Sequence, residues 1–297
     1  MRIFVTGANG FIGRAFCRVA TARGHQVLGL CRGANTTAPL ECQTVTGSLE
    51  DPPWNAIEQF QPEAALHLAW IATPGVYLDS SENDVLVTQS QALFRGLAKR
   101  GVRYLAGTGT CIEYAASPDP MLEMDSPLNP TFPYSRAKAA LSTWLLETEA
   151  ALGVRSSWFR IFYPYGVGEH PNRLPTLIIR KLAARQPMAL RTPDSIKDYV
   201  HVEDLAVALC LAIEAGVTGP VNLGSGTGVS ITHLAKTIAD ILGVDAGLVT
   251  RADPLTPDPW PIQIADVTRL RKLGWKPATD LRTGLRTLAE ALMCAPS

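Results

Sequence analysis

A tyrosine and a lysine that could move a proton stand one helical turn apart. Tyr134 and Lys138 belong to a segment that is predicted to be a helix, so their side chains emerge on the same face. A phenol beside an ammonium group is suited to general acid–base chemistry. This spacing is common by chance, but it gains weight from Thr108 to Thr110. Those residues follow a predicted strand, where open α/β sheets place their ligands.

A glycine-rich turn near the N-terminus could bind a phosphate group. It joins the apolar run at residues 2–6 to the helix that follows. Glycine permits a sharp turn, a close approach of backbone to a pyrophosphate, and tight packing of helix on strand. The free N–H groups at the start of the helix would face the anion. We therefore predict a dinucleotide site at Gly7, Asn9, Gly10, Phe11, Ile12 and Gly13, the alternative being an ordinary glycine-rich turn.

The charges of residues 1–40 indicate which dinucleotide would bind. NAD sites usually have an acidic residue at the end of the second strand, and Cys31 stands there instead. Residues 1–40 contain five arginines and no carboxylate side chain. Arg14 follows the last glycine and Arg32 ends the second strand, so both could bind a 2′-phosphate. We expect NADP(H) to be preferred, with NAD(H) possible; alternatively, the arginines only decorate a solvated surface.

The elements that must position these residues alternate along the chain. Short apolar runs predict strands at residues 2–6, 26–30, 44–46, 64–69, 103–106, 156–162 and 221–223. Helices are predicted at residues 11–23, 82–100, 134–152, 203–215 and 231–242. Strands that are apolar throughout, in this alternation, indicate a parallel sheet covered by helices on both faces.

Two stretches interrupt this alternation. Residues 163–195 are rich in Pro and Arg, and residues 224–297 include a Pro-rich segment. We therefore predict a dinucleotide-binding domain made of residues 1–162 and 196–223. Residues 163–195 and 224–297 would form a smaller C-terminal lobe that closes over the mouth of the sheet.

Composition excludes several classes of protein. The 27 Lys and Arg residues balance the 27 Asp and Glu residues, so the chain lacks the basic surplus of a nucleic-acid binder. No apolar stretch approaches the roughly 20 residues of a membrane span. The six cysteines and five histidines show no metal-ligand spacing, so no metal is expected. Because the N-terminus does not resemble a signal peptide, we expect reduced thiols in a cytoplasmic protein.

Several of these motifs together resemble the extended short-chain dehydrogenase/reductase family, which contains nucleotide-sugar epimerases, dehydratases and reductases. The resemblance runs through residues 6–13, 67–69, 108–110, 134–138, 160–166, 198–204, 222–226 and 273–277. It implies a Rossmann-type, doubly wound parallel sheet with a smaller C-terminal substrate-binding lobe. It also implies a nucleotide-diphosphate sugar as substrate and assembly as a homodimer.

The resemblance implies roles for the residues already singled out. Tyr134 would exchange a proton with a sugar oxygen, while Lys138 would lower the pKa of that tyrosine and hold the nicotinamide ribose. Thr110 would hydrogen-bond the same sugar oxygen. The remaining cofactor contacts would come from Ser48, Leu49, Leu68 and Ala69.

Substrate contacts carry over less directly from the family. Arg251 matches an arginine that grips the diphosphate in relatives, and Lys197 occupies the place of a second one. Tyr163 stands where many relatives have Asn. Arg173 and Arg191 are additional diphosphate candidates, with a solvated loop as the alternative.

The residues after Thr110 separate the reactions of the family. Its 4,6-dehydratases place Asp and Glu there, and this chain has Cys111 and Ile112, so dehydration lacks its acid and base. Glu113 comes one place late, and we interpret it as a structural contact or as a contact to a substrate hydroxyl. We interpret Cys111 as a packing residue. We favour NADP(H)-dependent reduction of a nucleotide-linked 4-keto-6-deoxyhexose. The alternatives are an NAD-dependent C4 epimerase of a UDP-sugar and a non-catalytic NADP(H)-binding redox sensor.

Overall fold

The computed structural model describes residues 1–33 and 40–294. Its strands are β1 (Arg2–Thr6), β2 (Gln26–Cys31), β3 (Gln43–Thr46), β4 (Ala64–His67), β5 (Tyr104–Thr110), β6 (Arg155–Ile161), β7 (Tyr163–Tyr165), β8 (Met188–Leu190), β9 (Ile196–His201), β10 (Gly219–Leu223), β11 (Gly228–Ser230), β12 (Val249–Arg251) and β13 (Ile262–Gln263). Its helices are α1 (Phe11–Ala22), α2 (Trp54–Phe60), α3 (Glu82–Lys99), α4 (Pro133–Glu147), α5 (Glu149–Leu152), α6 (Leu174–Ala183), α7 (Val202–Glu214), α8 (Ile231–Leu242), α9 (Thr268–Lys272) and α10 (Leu281–Cys294). None of these described helices is long and apolar enough to cross a membrane.

The main sheet has seven strands in the order β10-β6-β5-β4-β1-β2-β3. Every neighbouring pair in it is parallel. The strand order runs outward from β1 in one direction through β2 and β3, and in the other through β4, β5 and β6. Such a reversal leaves a crevice at the carboxyl ends of β1 and β4, where open α/β sheets bind their ligands. The predicted Rossmann-type fold is confirmed.

Both faces of the main sheet are covered around its central strands, which explains why β1, β2 and β4 are largely apolar and buried, whereas the edge strand β3 is mostly exposed. Ile3 and Val5 belong to a buried cluster with Phe16 of α1 and Leu205 of α7. Phe4, between them, belongs to a second cluster on the opposite face. That cluster includes α3 and α4 residues such as Leu93 and Leu141. Alternate β1 side chains thus point into two separate cores, as the pleat of a strand requires.

A smaller body of structure lies beside the main sheet. β9 pairs with β7, β11 and β13 in a second sheet, and β12 pairs with β8. Helices α6, α8 and α10 share a buried cluster that includes Ile178, Leu234 and Leu285. Leu270 and Trp275, although late in the chain, belong to the core of the main sheet. The division of the chain into two units at the residues given above stays a prediction.

Candidate active site

A cavity of about 560 Å³ opens where the main-sheet strands end. It brings together most of the residues predicted for the cofactor and the chemistry. These are Gly7, Asn9, Gly10, Phe11, Ile12, Gly13, Arg32, Ser48, Leu49, Leu68, Ala69, Thr110, Tyr134 and Lys138. Of the predicted substrate contacts besides Thr110, Arg173 also lines this cavity. Arg14, Tyr163, Arg191, Lys197 and Arg251 lie outside its lining.

The glycine turn could not accept larger residues. Gly7 has φ +68°, and a Cβ built on it would lie 2.8 Å from the backbone nitrogen of Ala69. A Cβ on Gly13 would lie 2.1 Å from the Gly7 carbonyl oxygen. Helix α1 begins directly after Gly10, with no side-chain cap and no acidic residue in its first turn. Its first N–H groups and the helix dipole therefore suit an anion, and the turn fits a dinucleotide pyrophosphate.

The far end of the cavity, beside β2, has charged residues of both signs in its described lining. Arg32 is exposed and lines the cavity, while the neighbouring Cys31 is buried at 4% exposure. Glu50, which the sequence analysis did not single out, also lines it and is exposed. The Nε of Arg14 donates to the carbonyl oxygen of Asn9 at 3.1 Å. This end therefore offers Arg32 as its cation, with Glu50 as a carboxylate in the same wall.

A buried histidine fixes the segment that follows β4. His67 is hydrogen-bonded through Nδ1 to Thr6 Oγ1 at 2.8 Å and through Nε2 to Ser90 Oγ at 2.9 Å. The N–H of Ala69 donates to the same Thr6 oxygen at 3.1 Å. Burial, together with the nearby charge of Lys138, lowers the pKa of His67 to about 3. The imidazole is therefore neutral and acts as a link between β1, β4 and α3.

The lysine of the proton-transfer pair is almost completely buried. Lys138 is 2% exposed, and its Nζ donates to the carbonyl oxygen of Thr108 at 2.8 Å. The Thr108 hydroxyl in turn donates to the carbonyl oxygen of His67 at 2.8 Å. Burial lowers the pKa of Lys138 to about 7, although the charge of Glu113 opposes this shift. The charged and neutral forms of Lys138 are therefore both populated at physiological pH.

The tyrosine of the pair lies in the first turn of α4. Pro133 opens the helix, and the Ser135 hydroxyl accepts a hydrogen bond from the N–H of Phe132 at 3.1 Å. Lys138 Nζ lies 5.9 Å from the centroid of the Tyr134 ring. Burial raises the pKa of Tyr134, with Tyr77 and Glu113 adding to the shift. The phenol is therefore protonated at neutral pH, which is the form that can donate a proton.

The end of β5 is held by a buried carboxylate. Glu113 is 0% exposed and accepts the N–H of Thr110 at 2.8 Å. It also pairs with Arg160 Nε at 3.0 Å and accepts the indole N–H of Trp158 at 3.1 Å. Of its two predicted roles, the structural one fits this burial. Burial also raises the pKa of Cys111 to about 12, so its thiol is protonated and packs in the core.

The remaining cations predicted for the substrate have carboxylate partners or lie on the surface. Lys197 is 6% exposed, pairs with Asp258 at 2.8 Å and donates to the Trp260 carbonyl oxygen. Arg251 is exposed and donates to both carboxylate oxygens of Asp194, at 2.9 and 2.6 Å. Arg191 is exposed, and the Tyr163 hydroxyl donates to Gln263 Oε1. The substrate contacts of these four residues stay predictions.

Several cavity residues were missed by the sequence analysis. Trp70, Ile71, Ala72 and Tyr77 line the cavity next to the proton-transfer pair. Trp70 comes shortly after the strand that ends in His67, so a large aromatic residue near a carboxyl strand end was the available signal. Within residues 1–33 and 40–294, no group of three His, Cys, Asp or Glu side chains could hold a metal ion.

Comparison with known proteins agrees with this architecture. Residues 3–224 match the family model described as the NAD dependent epimerase/dehydratase family. The chain belongs to that family. This confirms the resemblance to the extended short-chain dehydrogenases/reductases.

Two relatives and one solved structure show the range of the family. A UDP-glucose 4-epimerase of Corynebacterium glutamicum is 25% identical, over 95% of this chain and 93% of that protein. A dTDP-4-dehydro-6-deoxyglucose reductase of Escherichia coli is 27% identical, over 78% of this chain and 75% of that protein. The structure of Thermus thermophilus UDP-glucose 4-epimerase with NAD matches with a TM-score of 0.86 at 24% identity, over 100% of both chains.

Proposed function

We propose that this protein is an NADP(H)-dependent reductase of a nucleotide-activated 4-keto-6-deoxyhexose. The observation that carries the proposal is the end of β2, where Arg32 lines the cavity and Cys31 replaces the acidic residue of NAD sites. A guanidinium group can bind a 2′-phosphate through two parallel hydrogen bonds. A reductase must take up and release a reduced cofactor in every turnover, and in this family that cofactor is most often NADPH.

The residues around the proton-transfer pair suit reduction of a carbonyl group. A bound nicotinamide would supply the hydride. Tyr134 holds a phenolic proton at neutral pH, because burial raises its pKa, and donates that proton to the carbonyl oxygen. The ammonium of Lys138 stabilises the phenolate that remains. Thr110, at the end of β5 and in the same cavity wall, holds the sugar oxygen.

Among the predicted cations, Arg173 is the preferred contact for the diphosphate of the substrate. This residue lines the cavity and directly precedes helix α6. The ammonium of Lys197 is already compensated by Asp258, and the guanidinium of Arg251 by Asp194. Either of these two would have to leave its carboxylate before it could bind a phosphate.

An NAD-dependent C4 epimerase of a UDP-sugar is the second candidate. The Corynebacterium glutamicum epimerase matches nearly the whole chain, and epimerases are more frequent than reductases among the relatives found. Glu50 in the cavity wall could accept a hydrogen bond from a ribose hydroxyl. A reductase and an epimerase both exchange a proton between this tyrosine and a sugar oxygen, so Tyr134 does not separate the two reactions.

The proposal is tested by a substrate panel. Purified protein is mixed with nucleotide-linked 4-keto-6-deoxyhexoses and either NADPH or NADH, and cofactor oxidation is followed at 340 nm. We expect oxidation of NADPH with at least one keto sugar. Interconversion of UDP-glucose and UDP-galactose without added cofactor, by protein that retains NAD, would establish the epimerase instead. Tight NADPH binding without turnover of any substrate would support a binding protein.

The cofactor assignment is tested by a matched pair of variants. Arg32→Ala removes the proposed phosphate contact, and we expect the Kd for NADPH to rise about 10- to 100-fold with little change for NADH. Glu50→Ala, in the same wall, should leave NADH binding unchanged. If Glu50→Ala weakened NADH binding while Arg32→Ala left NADPH binding intact, the assignment to NADP(H) would be wrong.

A further inference from the structure

A loop between β4 and α3 covers both members of the proton-transfer pair. This cover loop comprises residues 70–81. The face of the Trp70 indole lies against Lys138, with Nζ 3.8 Å from the ring centroid. The Tyr77 ring meets the Tyr134 ring edge-on, with centroids 4.8 Å apart and planes at 89°. The backbone N–H of Tyr134 donates to the carbonyl oxygen of Leu78 at 3.1 Å.

One buried asparagine at the start of α3 holds the cover loop. Asn83 is 0% exposed, and its Oδ1 accepts the indole N–H of Trp70 at 2.8 Å. Its Nδ2 donates to the carbonyl oxygens of Tyr77 and Ser80, each at 2.8 Å. An indole N–H requires an acceptor and two carbonyl groups require donors, so the amide of Asn83 has one workable orientation. The Asn83 amide, whose oxygen and both N–H groups are hydrogen-bonded, therefore fixes the plane of the Trp70 ring.

We propose that Trp70 is a positioning residue for the proton-transfer pair, whose ring face holds the Lys138 ammonium while Asn83 holds the ring. A buried ammonium has lost most of its hydration, and the protein must replace it. One replacement is the hydrogen bond to Thr108. The negative face of an indole is the most favourable aromatic surface for a cation, and its effect grows when water is excluded.

The charged and titratable groups around Lys138 leave its protonation state sensitive to the Trp70 ring. From the turn after β5, Glu113 favours the ammonium. From β4, His67 is neutral because burial lowers its pKa to about 3. On α4 itself, Tyr134 is uncharged because burial raises its pKa. Burial places the pKa of Lys138 at about 7, so a modest contribution from Trp70 changes the fraction of charged lysine at physiological pH.

The proposal is tested by titration of Lys138 without any substrate. The chain has seven lysines, so ¹³Cε-labelled lysine gives a simple NMR spectrum, and loss of one signal in Lys138→Met assigns the residue. Tryptophan is replaced during expression by mono-, di- and trifluorinated analogues, which weaken the negative ring face with little change of shape. We expect the Lys138 titration midpoint to fall stepwise, by about one pH unit over the series. An unchanged midpoint would overturn the proposal.

Two controls assign the effect to one ring. The fluorinated series is repeated in Trp70→Phe, in which the other tryptophans still carry fluorine, and there the midpoint should not move. In Trp144→Phe the stepwise fall should persist, because Trp144 lies on α4 but faces Arg95, with Arg95 Cζ 4.8 Å from its centroid. A fall of equal size in Trp70→Phe would mean that other rings act on Lys138, and the proposal would be wrong.

The anchor is tested separately by Asn83→Ala. We expect the midpoint of Lys138 to fall, because the ring loses its acceptor, and the fluorinated series to become shallower. An unchanged midpoint and slope would refute the role of Asn83. The importance of this positioning for catalysis rests on the proposed function, but the titration does not. A reductase panel without turnover would refute the proposed function alone, and an unresponsive titration would refute the role of Trp70 alone.

Discussion

The pair Glu113–Arg160 allows a quantitative test of how the end of β5 is held. The proposed change is Glu113→Gln, which keeps the shape of the side chain. The carboxylate accepts hydrogen bonds from Thr110, Trp158 and Arg160, all of which are donors. An amide presents its own NH₂ group to some of these donors. It also leaves the Arg160 guanidinium, whose side chain is 5% exposed, without a compensating charge.

The expected cost follows from this burial. Removing one member of a buried ion pair costs about 3–5 kcal/mol, because the remaining charge stays shielded from water. The whole free energy of unfolding of a protein is about 5–15 kcal/mol, so Glu113→Gln should remove a large share of it. Replacing both members by well-packed hydrophobic residues is often close to neutral. The double variant Glu113→Gln with Arg160→Met removes the uncompensated charge but keeps a buried amide, so it should recover only part of the cost and be about 2 kcal/mol more stable than Glu113→Gln alone.

Urea unfolding followed by circular dichroism measures these differences. The slope of the free energy against urea should stay constant, so that the shift in midpoint reports stability. Asp194→Asn is the control, because it removes the carboxylate of the exposed pair with Arg251 and should leave the midpoint unchanged. A cost below about 1 kcal/mol for Glu113→Gln would refute the reasoning. A double variant less stable than the single one would do the same.

Three other changes test the site. Tyr134→Phe should lower turnover about 10²- to 10⁴-fold while the Kd for NADPH, measured by fluorescence titration, stays near its parent value; full activity would mean that another group supplies the proton. Gly13→Ala places a Cβ 2.1 Å from Gly7 O, so NADPH binding measured by calorimetry should be lost, and intact binding would contradict the assigned turn. The pKa of His67 is lowered from an ordinary 6.5 to about 3, so the unfolded chain binds the proton more readily between those values. Stability should therefore fall as pH drops from 6.5 to 3, and less steeply in His67→Gln; parallel unfolding curves would exclude this cause.

Features that depend on neighbouring residues could be predicted from the sequence. The turn from Gly7 to Gly13 requires glycine for local reasons, namely a positive φ and contacts within the turn itself. Tyr134 and Lys138 share a face because a helix has a fixed period. The alternation of strands and helices indicated a parallel sheet, since parallel neighbours need a crossover connection between them, but it did not indicate the order of the strands.

Element boundaries were harder where tertiary packing decides them. The helix predicted at residues 134–152 is divided into α4 and α5 at Thr148, whose hydroxyl donates to the Trp144 carbonyl oxygen at 2.7 Å. Helices α6 and α10 lie in stretches that interrupt the alternation of strands and helices, and they were not predicted. Their apolar residues do recur at helical spacing, as at Leu281, Leu285 and Leu288 of α10, but the small core that they share with α8 is assembled from distant segments.

The cations predicted to bind the substrate show which part of the site could not be predicted from the sequence. Arg251 and Lys197 were expected to bind the substrate because they match family positions, and Arg173 and Arg191 were additional candidates for the diphosphate. Whether such a charge is available depends on carboxylates from other segments, and those are set by the fold. Asp258 comes from the Pro-rich segment near β13, where the neighbouring Trp260 is fixed by a hydrogen bond to the Tyr114 carbonyl oxygen. Asp258 of that segment compensates the charge of Lys197, and Arg173 is the one of these four cations that lines the cavity.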